Sequence, residues 1–123
     1  MSVDVVRNPT PRDESVAWLR VCPLDRLEPE RGVAALVGAE QVAIFLTHDG
    51  NVFAIGNRDP YSRAYVLSRG IVGTRGDAPT VASPMHKQVY DLRTGVCLDL
   101  PNLAVPTFEA RCRDGWVEVR CPS

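Results

Sequence analysis

The sequence predicts an all-β fold, an antiparallel β-sandwich built from hairpins with at most short helical turns. Three observations indicate it. Apolar runs of strand length recur along the chain, turns that contain glycine separate them, and no convincing long amphipathic helix interrupts them. The 123 residues, of which 45% are apolar and 24% charged, are enough for one ordered domain with a single core.

The N-terminal part of the chain is the least regular. Residues 1–14 mix prolines and charges without periodicity, which predicts a flexible arm and leaves 15–123 as the domain. A strand-like run begins at Val16 and is closed by Cys22-Pro23. The segment 24–32, interrupted by Pro29, predicts a loop with at most one helical turn.

Three turn signals then divide the rest of the chain into hairpins. Asp49-Gly50 joins the strands 42–48 and 51–55, and Arg93-Thr94-Gly95 joins 88–92 and 96–98. Asp114-Gly115 joins the strands 108–113 and 116–121. One further helical turn is expected at 62–68, between two of the hairpins.

A two-residue turn at positions 114 and 115 fixes the register of the last hairpin. Opposite charges then face each other on the solvent side, and apolar residues do so on the core side. The charged pairs are Arg111 with Glu118 and Glu109 with Arg120, and the apolar pairs are Ala110 with Val119 and Phe108 with Cys121. Because Cys112 faces Val117 in this register, a disulfide between Cys112 and Cys121 is not expected.

The composition excludes several classes of function. A formal net charge of -1 provides no basic field for nucleic acid. No apolar run approaches the ~20 residues of a membrane span, and no secretion signal is recognisable, so we expect a cytoplasmic protein that binds no membrane. The four cysteines form no C-x-x-C pair and, with two histidines, give no zinc spacing. We therefore expect reduced, mostly buried thiols.

Three consecutive segments resemble the Rieske iron–sulfur domain family. They are VFAIGNRDP at 52–60, LSRGIV at 67–72 and VASPMHKQVYDLRTGVC at 81–97. The resemblance extends from about residue 16 to the C-terminal hairpin and implies a Rieske-like antiparallel β-sandwich. In that family, a C-x-H motif in the first loop and a C-P-x-H motif in the second hold a [2Fe–2S] cluster.

The residues at the ligand positions depart from that pattern. Asn57 and Asp59 stand where the first motif has cysteine and histidine, Ser83 replaces the cysteine of the second, and His86 is retained. Neutral asparagine and serine oxygens cannot replace soft thiolates. We therefore expect these four positions to be vestigial, with no metal and no cofactor in this chain. His86 beside Asp59 is interpreted as a hydrogen-bonded loop pair rather than a mononuclear metal site, and we predict polar links joining residues 57–60 to 83–87.

A Rieske fold with these replacements is similar to the small-subunit family of assimilatory NAD(P)H nitrite reductases. The segment DPYSRAYVLSRGIVG at 59–73 carries that resemblance. It implies an accessory, non-catalytic role beside a large subunit that holds FAD, siroheme and a [4Fe–4S] cluster and reduces nitrite to ammonium. Two alternatives stay open: a degenerate Rieske-type ferredoxin that carries electrons, and a free-standing Rieske-like binding or regulatory module.

Aromatic and basic residues around the two vestigial motifs are candidates for partner binding. In cluster-bearing relatives, electron-transfer partners dock at this end of the domain, and tyrosine with arginine is the composition of binding hot spots. The alternative is a set of scattered surface aromatics. The candidates are Tyr61, Arg63, Tyr65, Lys87 and Tyr90.

Overall fold

The computed structural model describes residues 18–85 and 87–120, and confirms the predicted all-β class. Two single 3₁₀ turns, Leu24–Arg26 and Leu67–Arg69, are the helical elements of these ranges, and neither is long enough to cross a membrane. The strands are β1 Trp18–Pro23, β2 Gly32–Val37, β3 Glu40–Leu46, β4 Val52–Gly56, β5 Ile71–Arg75, β6 Ala78–Ala82, β7 Val89–Asp91, β8 Thr107–Phe108, β9 Ala110–Arg113 and β10 Trp116–Arg120. The predicted arm at 1–14 lies outside the described residues.

The strands form three antiparallel sheets, in the orders β1-β10-β9, β2-β3-β4-β8 and β5-β6-β7. Strand β3 is buried on both faces, because its alternate residues belong to two different apolar clusters. Val42 and Ile44 pack with the valines of β10, whereas Ala43 and Phe45 pack with residues that follow β4 and with β6 and β7. The sheet of β2, β3, β4 and β8 therefore packs against both other sheets, one on each face.

The last hairpin has the predicted register. Arg111 faces Glu118, Ala110 faces Val119 and Cys112 faces Val117. The predicted strand 108–113 is divided, however, because β8 pairs with β4 in the middle sheet and β9 pairs with β10. The expected partner of Phe108, Cys121, lies outside the described residues.

The expectation that Glu118 faces solvent is wrong. The residue is only 7% exposed, because two arginines cover it and each arginine stacks on a tryptophan. Arg111 donates from Nε to Glu118 Oε1 at 2.7 Å and lies 3.9 Å from the Trp18 ring centre. Arg20 lies 3.7 Å from the other carboxylate oxygen and 5.1 Å from the Trp116 ring centre. Long cationic side chains over aromatic faces thus bury a charge that strand alternation places outward.

Three strands were not predicted. The hairpin of β2 and β3 turns at Gly38, and that of β5 and β6 turns at Gly76, both with positive φ. The expected helical turn at 62–68 occurs later, at Leu67–Arg69. Among the described cysteines, Cys22 and Cys97 are buried and free as expected, whereas Cys112 is free but exposed.

Candidate functional site

Two loops meet at one end of the domain, and we call this end the tip. The first loop, 57–66, follows β4, and the second, 83–88, follows β6; residue 86 lies outside the described part of the chain. The tip contains the predicted vestigial positions Asn57, Asp59 and Ser83, all of them buried. His86, the fourth, is the residue that is not described.

Asp59 joins the two loops and is fully buried, at 0% exposure. Its Oδ2 accepts hydrogen bonds from the Ser83 hydroxyl at 2.6 Å and the Ser62 hydroxyl at 3.1 Å. Its Oδ1 accepts from the Tyr90 hydroxyl at 2.8 Å and from the backbone N–H of Tyr61 at 3.0 Å. These four contacts are called the Asp59 network. They confirm the predicted polar link between residues 57–60 and 83–87.

The network favours an ionised carboxylate. Burial by itself raises the pKa of Asp59, but the hydrogen bonds from Ser83, Tyr90, Tyr61 and Ser62 outweigh it and hold the pKa below its ordinary value. Burial, together with the bond to Asp59, raises the pKa of Tyr90. The carboxylate is therefore the acceptor and the phenol the donor over the physiological range, and charge-assisted hydrogen bonds of this kind are the stronger ones.

Asn57 has a different structural role. It is buried, its Nδ2 donates to Gln41 Oε1 at 3.1 Å, and its Oδ1 accepts from the backbone N–H of Ser68 at 2.7 Å. Its backbone carbonyl accepts from the N–H of Leu67 at 3.1 Å. Asn57 thus connects β3 to the second 3₁₀ turn. Of the three described vestigial positions, Asp59 and Ser83 bond to each other, whereas Asn57 bonds to β3 and to the second 3₁₀ turn.

The two loops repeat one local geometry. In each, the side-chain oxygen of the vestigial residue accepts from the backbone N–H two positions later, which is Tyr61 after Asp59 and Met85 after Ser83. In each, the vestigial residue's carbonyl accepts from the N–H four positions later, at Arg63 and at Lys87. The corresponding sequences are Asp-Pro-Tyr-Ser-Arg at 59–63 and Ser-Pro-Met-His-Lys at 83–87.

The repeated turn forces two cations into an uncommon backbone conformation. Arg63 has φ 67° and Lys87 has φ 65°, in the left-handed region that favours glycine. Two of the four non-glycine residues with positive φ in the described ranges thus lie in the tip. Such strain persists where the surrounding structure imposes it and is concentrated at functional sites.

The tip does not offer the donor set of a [2Fe–2S] cluster. Such a centre needs thiolates on one iron, yet the described vestigial positions carry oxygen and amide groups whose hydrogen bonds are made within the protein. Cys97 is buried in the core, where its Sγ accepts from the N–H of Leu100 at 3.3 Å. Within residues 18–85 and 87–120, no group of three histidine, cysteine or acidic side chains is placed to hold a metal ion.

The candidates for partner binding divide into two groups. Tyr61 and Tyr65 are 49% and 54% exposed, and Arg63 and Lys87 are exposed as well. Tyr90 is fully buried at 0%, so its assignment to a partner surface is wrong: its ring packs in the core and its hydroxyl belongs to the Asp59 network.

Sequence reasoning missed two exposed apolar residues at this end. Met85 is 52% exposed, and Ile71, which faces Ala82 next to the second loop, is 75% exposed. The repetition of Tyr61 and Met85 at equivalent positions in the two Pro-containing turns was the signal available for Met85. No comparable signal identifies Ile71.

Comparison with known proteins places the whole described domain in one group. A family model for the Rieske-like [2Fe-2S] domain matches residues 17–120. The nitrite reductase (NADH) small subunit of Escherichia coli (strain K12) is 44% identical over 104 residues, covering 84% of this chain and 96% of that one. A crystal structure from Mycobacterium tuberculosis, described as an NADH-dependent nitrite reductase small subunit, superposes with a TM-score of 0.85 at 44% identity, covering 88% and 97% of the two chains.

A longer relative contains the same domain as a small part. The nitrite reductase [NAD(P)H] large subunit of Klebsiella oxytoca is 38% identical over 102 residues, which cover 83% of this chain but 11% of that one. The predicted resemblances to a Rieske-like domain and to nitrite reductase small subunits are both confirmed.

Proposed function

This chain belongs to the family of nitrite reductase small subunits that consist of a Rieske-like domain, and from that premise we propose that it serves as an accessory, non-catalytic subunit of a NAD(P)H nitrite reductase. The reaction is the reduction of nitrite to ammonium. In this proposal the chain acts in the cytoplasm, binds a large subunit, and supports activity by holding a preformed binding surface rather than by transferring electrons.

The observation that carries the proposal is the Asp59 network. A [2Fe–2S] cluster would hold the two tip loops together by ligation. Here the buried Asp59 carboxylate joins them by hydrogen bonds, because it accepts from Ser83 and Tyr90 as well as from Tyr61 and Ser62 of its own loop. Hydrogen bonds to a charged group contribute about 1.5–3 kcal/mol each. The loops therefore have a source of rigidity that needs no metal, and the chain needs no redox group to keep its shape.

The partner follows from the family and from the longer relative. A chain that contains both this domain and the rest of a large subunit keeps the two permanently together, as in the Klebsiella oxytoca protein. That arrangement supports a physical complex where the domain is a separate chain. The flavin, siroheme and [4Fe–4S] groups of the reaction are assigned to the large subunit, together with nitrite and NAD(P)H binding.

Reconstitution tests the proposal. The large subunit, purified alone, is assayed for nitrite-dependent NAD(P)H oxidation with increasing amounts of this chain. We expect activity to rise and to saturate at a fixed ratio of the two chains. We also expect the small subunit alone to show no visible absorption bands. Equal activity with and without the chain, or a complex that does not form, would contradict the accessory role.

A variant tests the supporting role, and a spectrum of the isolated chain tests electron transfer. Tyr90→Phe removes one donor of the Asp59 network and leaves the apolar packing of the ring, so the domain should remain folded and continue to support activity at saturating concentration. An electron carrier would instead show a reducible chromophore in the isolated chain, titrating with NAD(P)H through the large subunit. Detection of that chromophore would favour the degenerate ferredoxin.

A further inference from the structure

The tip differs in charge from the rest of the molecule. Basic and acidic residues nearly balance over the whole chain, at 14 against 15. In the first loop of the tip, 57–66, by contrast, two arginines accompany one acid, and that acid is the buried Asp59. The second loop adds Lys87, with no acid between residues 78 and 90. The exposed charge of the tip is therefore positive.

The cations of the two loops are available to a partner. Arg58, Arg63 and Lys87 are exposed, and none forms an ion pair with another side chain in the part of the chain that the structure describes. Most arginines elsewhere in these ranges are paired with acids, as Arg75 is with Asp99 at 3.1 Å. Cations without internal partners retain their full electrostatic effect on an approaching molecule.

Apolar side chains accompany these cations. Of the six large apolar side chains that are most exposed in the described ranges, four lie at this end: Tyr61, Tyr65, Ile71 and Met85. Arg58 forms a β-bridge with Tyr65, and Ile71 faces Ala82 next to the second loop, so both loops contribute. Tyrosine, arginine and methionine are the residues enriched in protein interfaces, and apolar patches of this kind mark interaction sites.

The tip is also rigid before any partner binds. The Asp59 network joins the loops, and the carbonyls of Asp59 and Ser83 hold the N–H groups of Arg63 and Lys87 at 2.6 and 2.9 Å. A binding surface that is already ordered loses less conformational entropy on association. The strain of two left-handed cations is consistent with a surface shaped for recognition rather than for stability.

We propose that the tip docks against an acidic face of the nitrite reductase large subunit, with Tyr61 and Met85 at the apolar centre of the contact and Arg63 and Lys87 beside them. This inference rests on the proposed function for the identity of the partner. It adds the chemistry of that partner's surface: carboxylates that surround an apolar depression. Opposite charge at the contact would also accelerate association, and would do so most at low ionic strength.

The test is a calorimetric titration of the full chain into purified large subunit at two salt concentrations. Wild-type affinity should fall at least tenfold between 50 and 500 mM NaCl. Arg63→Glu and Lys87→Glu should each weaken binding at least tenfold at low salt, and their salt dependence should be smaller. The matched control is Arg113→Glu, which makes the same change of charge on an exposed residue of β9.

Apolar variants test the centre of the contact. Tyr61→Ala and Met85→Ala should each weaken binding about tenfold or more at both salt concentrations, because salt does not screen the burial of apolar surface. Melting curves of every variant establish that the domain is folded. Binding that survives all four tip substitutions, or that Arg113→Glu weakens equally, would overturn the docking surface while leaving the accessory function intact. No binding by wild-type protein would overturn both.

Discussion

The substitution Asp59→Ala tests how strongly the tip depends on its buried carboxylate. It leaves the Ser83 and Tyr90 hydroxyls, which belong to buried residues, without the acceptor they now use at 2.6 and 2.8 Å. Each orphaned buried donor costs about 1–3 kcal/mol, so the free energy of unfolding should fall by about 2–6 kcal/mol. The Ser62 hydroxyl is half-buried and can turn to water, so it adds little.

Urea unfolding followed by circular dichroism measures this loss. The double variant Asp59→Ala with Tyr90→Phe provides the sharper comparison, because removing the orphaned hydroxyl should restore part of the stability that Asp59→Ala loses. Ser62→Ala is the matched control, with an expected loss of about 1 kcal/mol, because water can take over part of the bond that this half-buried hydroxyl makes to Asp59. A loss below about 1 kcal/mol for Asp59→Ala, or strictly additive effects in the double variant, would refute the reasoning.

Three further perturbations probe the same structure. Hydrogen bonding lowers the pKa of Asp59 in the folded state, so the stability that this carboxylate contributes is present above the unfolded pKa of about 4 and is lost as pH falls through the folded value. Wild-type stability should therefore drop in acid, and Asp59→Asn should flatten that drop. Urea unfolding at several pH values measures both. Gly95→Ala should destabilise the domain far more than Gly76→Ala in thermal melts. Both glycines have positive φ, but a Cβ added at Gly95 would lie 2.1 Å from the Val105 carbonyl oxygen, whereas nothing lies within 4 Å of one added at Gly76. Equal losses would show that the contact at Gly95 relaxes freely. Glu118→Ala should lower the free energy of unfolding by about 1–3 kcal/mol, since it removes the carboxylate that holds both stacked arginines, and should alter the tryptophan near-ultraviolet signal; an unchanged signal would argue against the stacking.

The sequence predicted those elements of the fold that alternate and end in glycine turns. The register of the hairpin of β9 and β10 was predicted correctly because charges and apolar side chains independently require one register. Strand β5 was missed because Ile71–Arg75 is largely exposed and contains a glycine, so it shows no alternation. Glu118 was predicted to face solvent because the alternation of residues along a strand indicates which face a side chain is on. It does not indicate that long side chains will cover that residue.

The site was predictable to a similar extent. Asp59 and Ser83 were identified because they replace ligands in two recognisable motifs, and short polar side chains in turns form local hydrogen bonds. Tyr90 was misassigned because an aromatic residue beside a loop looks like a contact residue in sequence. Its burial depends on packing with Ala43, Phe45 and Ile55, which are distant in sequence and leave no local signal. The four-donor environment of Asp59 likewise requires residues up to 31 positions apart.

The iron and acid-labile sulfide content of the purified full chain, produced with abundant iron and handled without oxygen, tests the central claim most directly. That claim is that the Asp59 network holds the two loops in place of a cluster. The account predicts no stoichiometric iron or sulfide, no visible absorption bands, and loops that remain structured in the presence of a chelator. Two iron atoms and two sulfides per chain, with the spectrum of a Rieske centre, would contradict it.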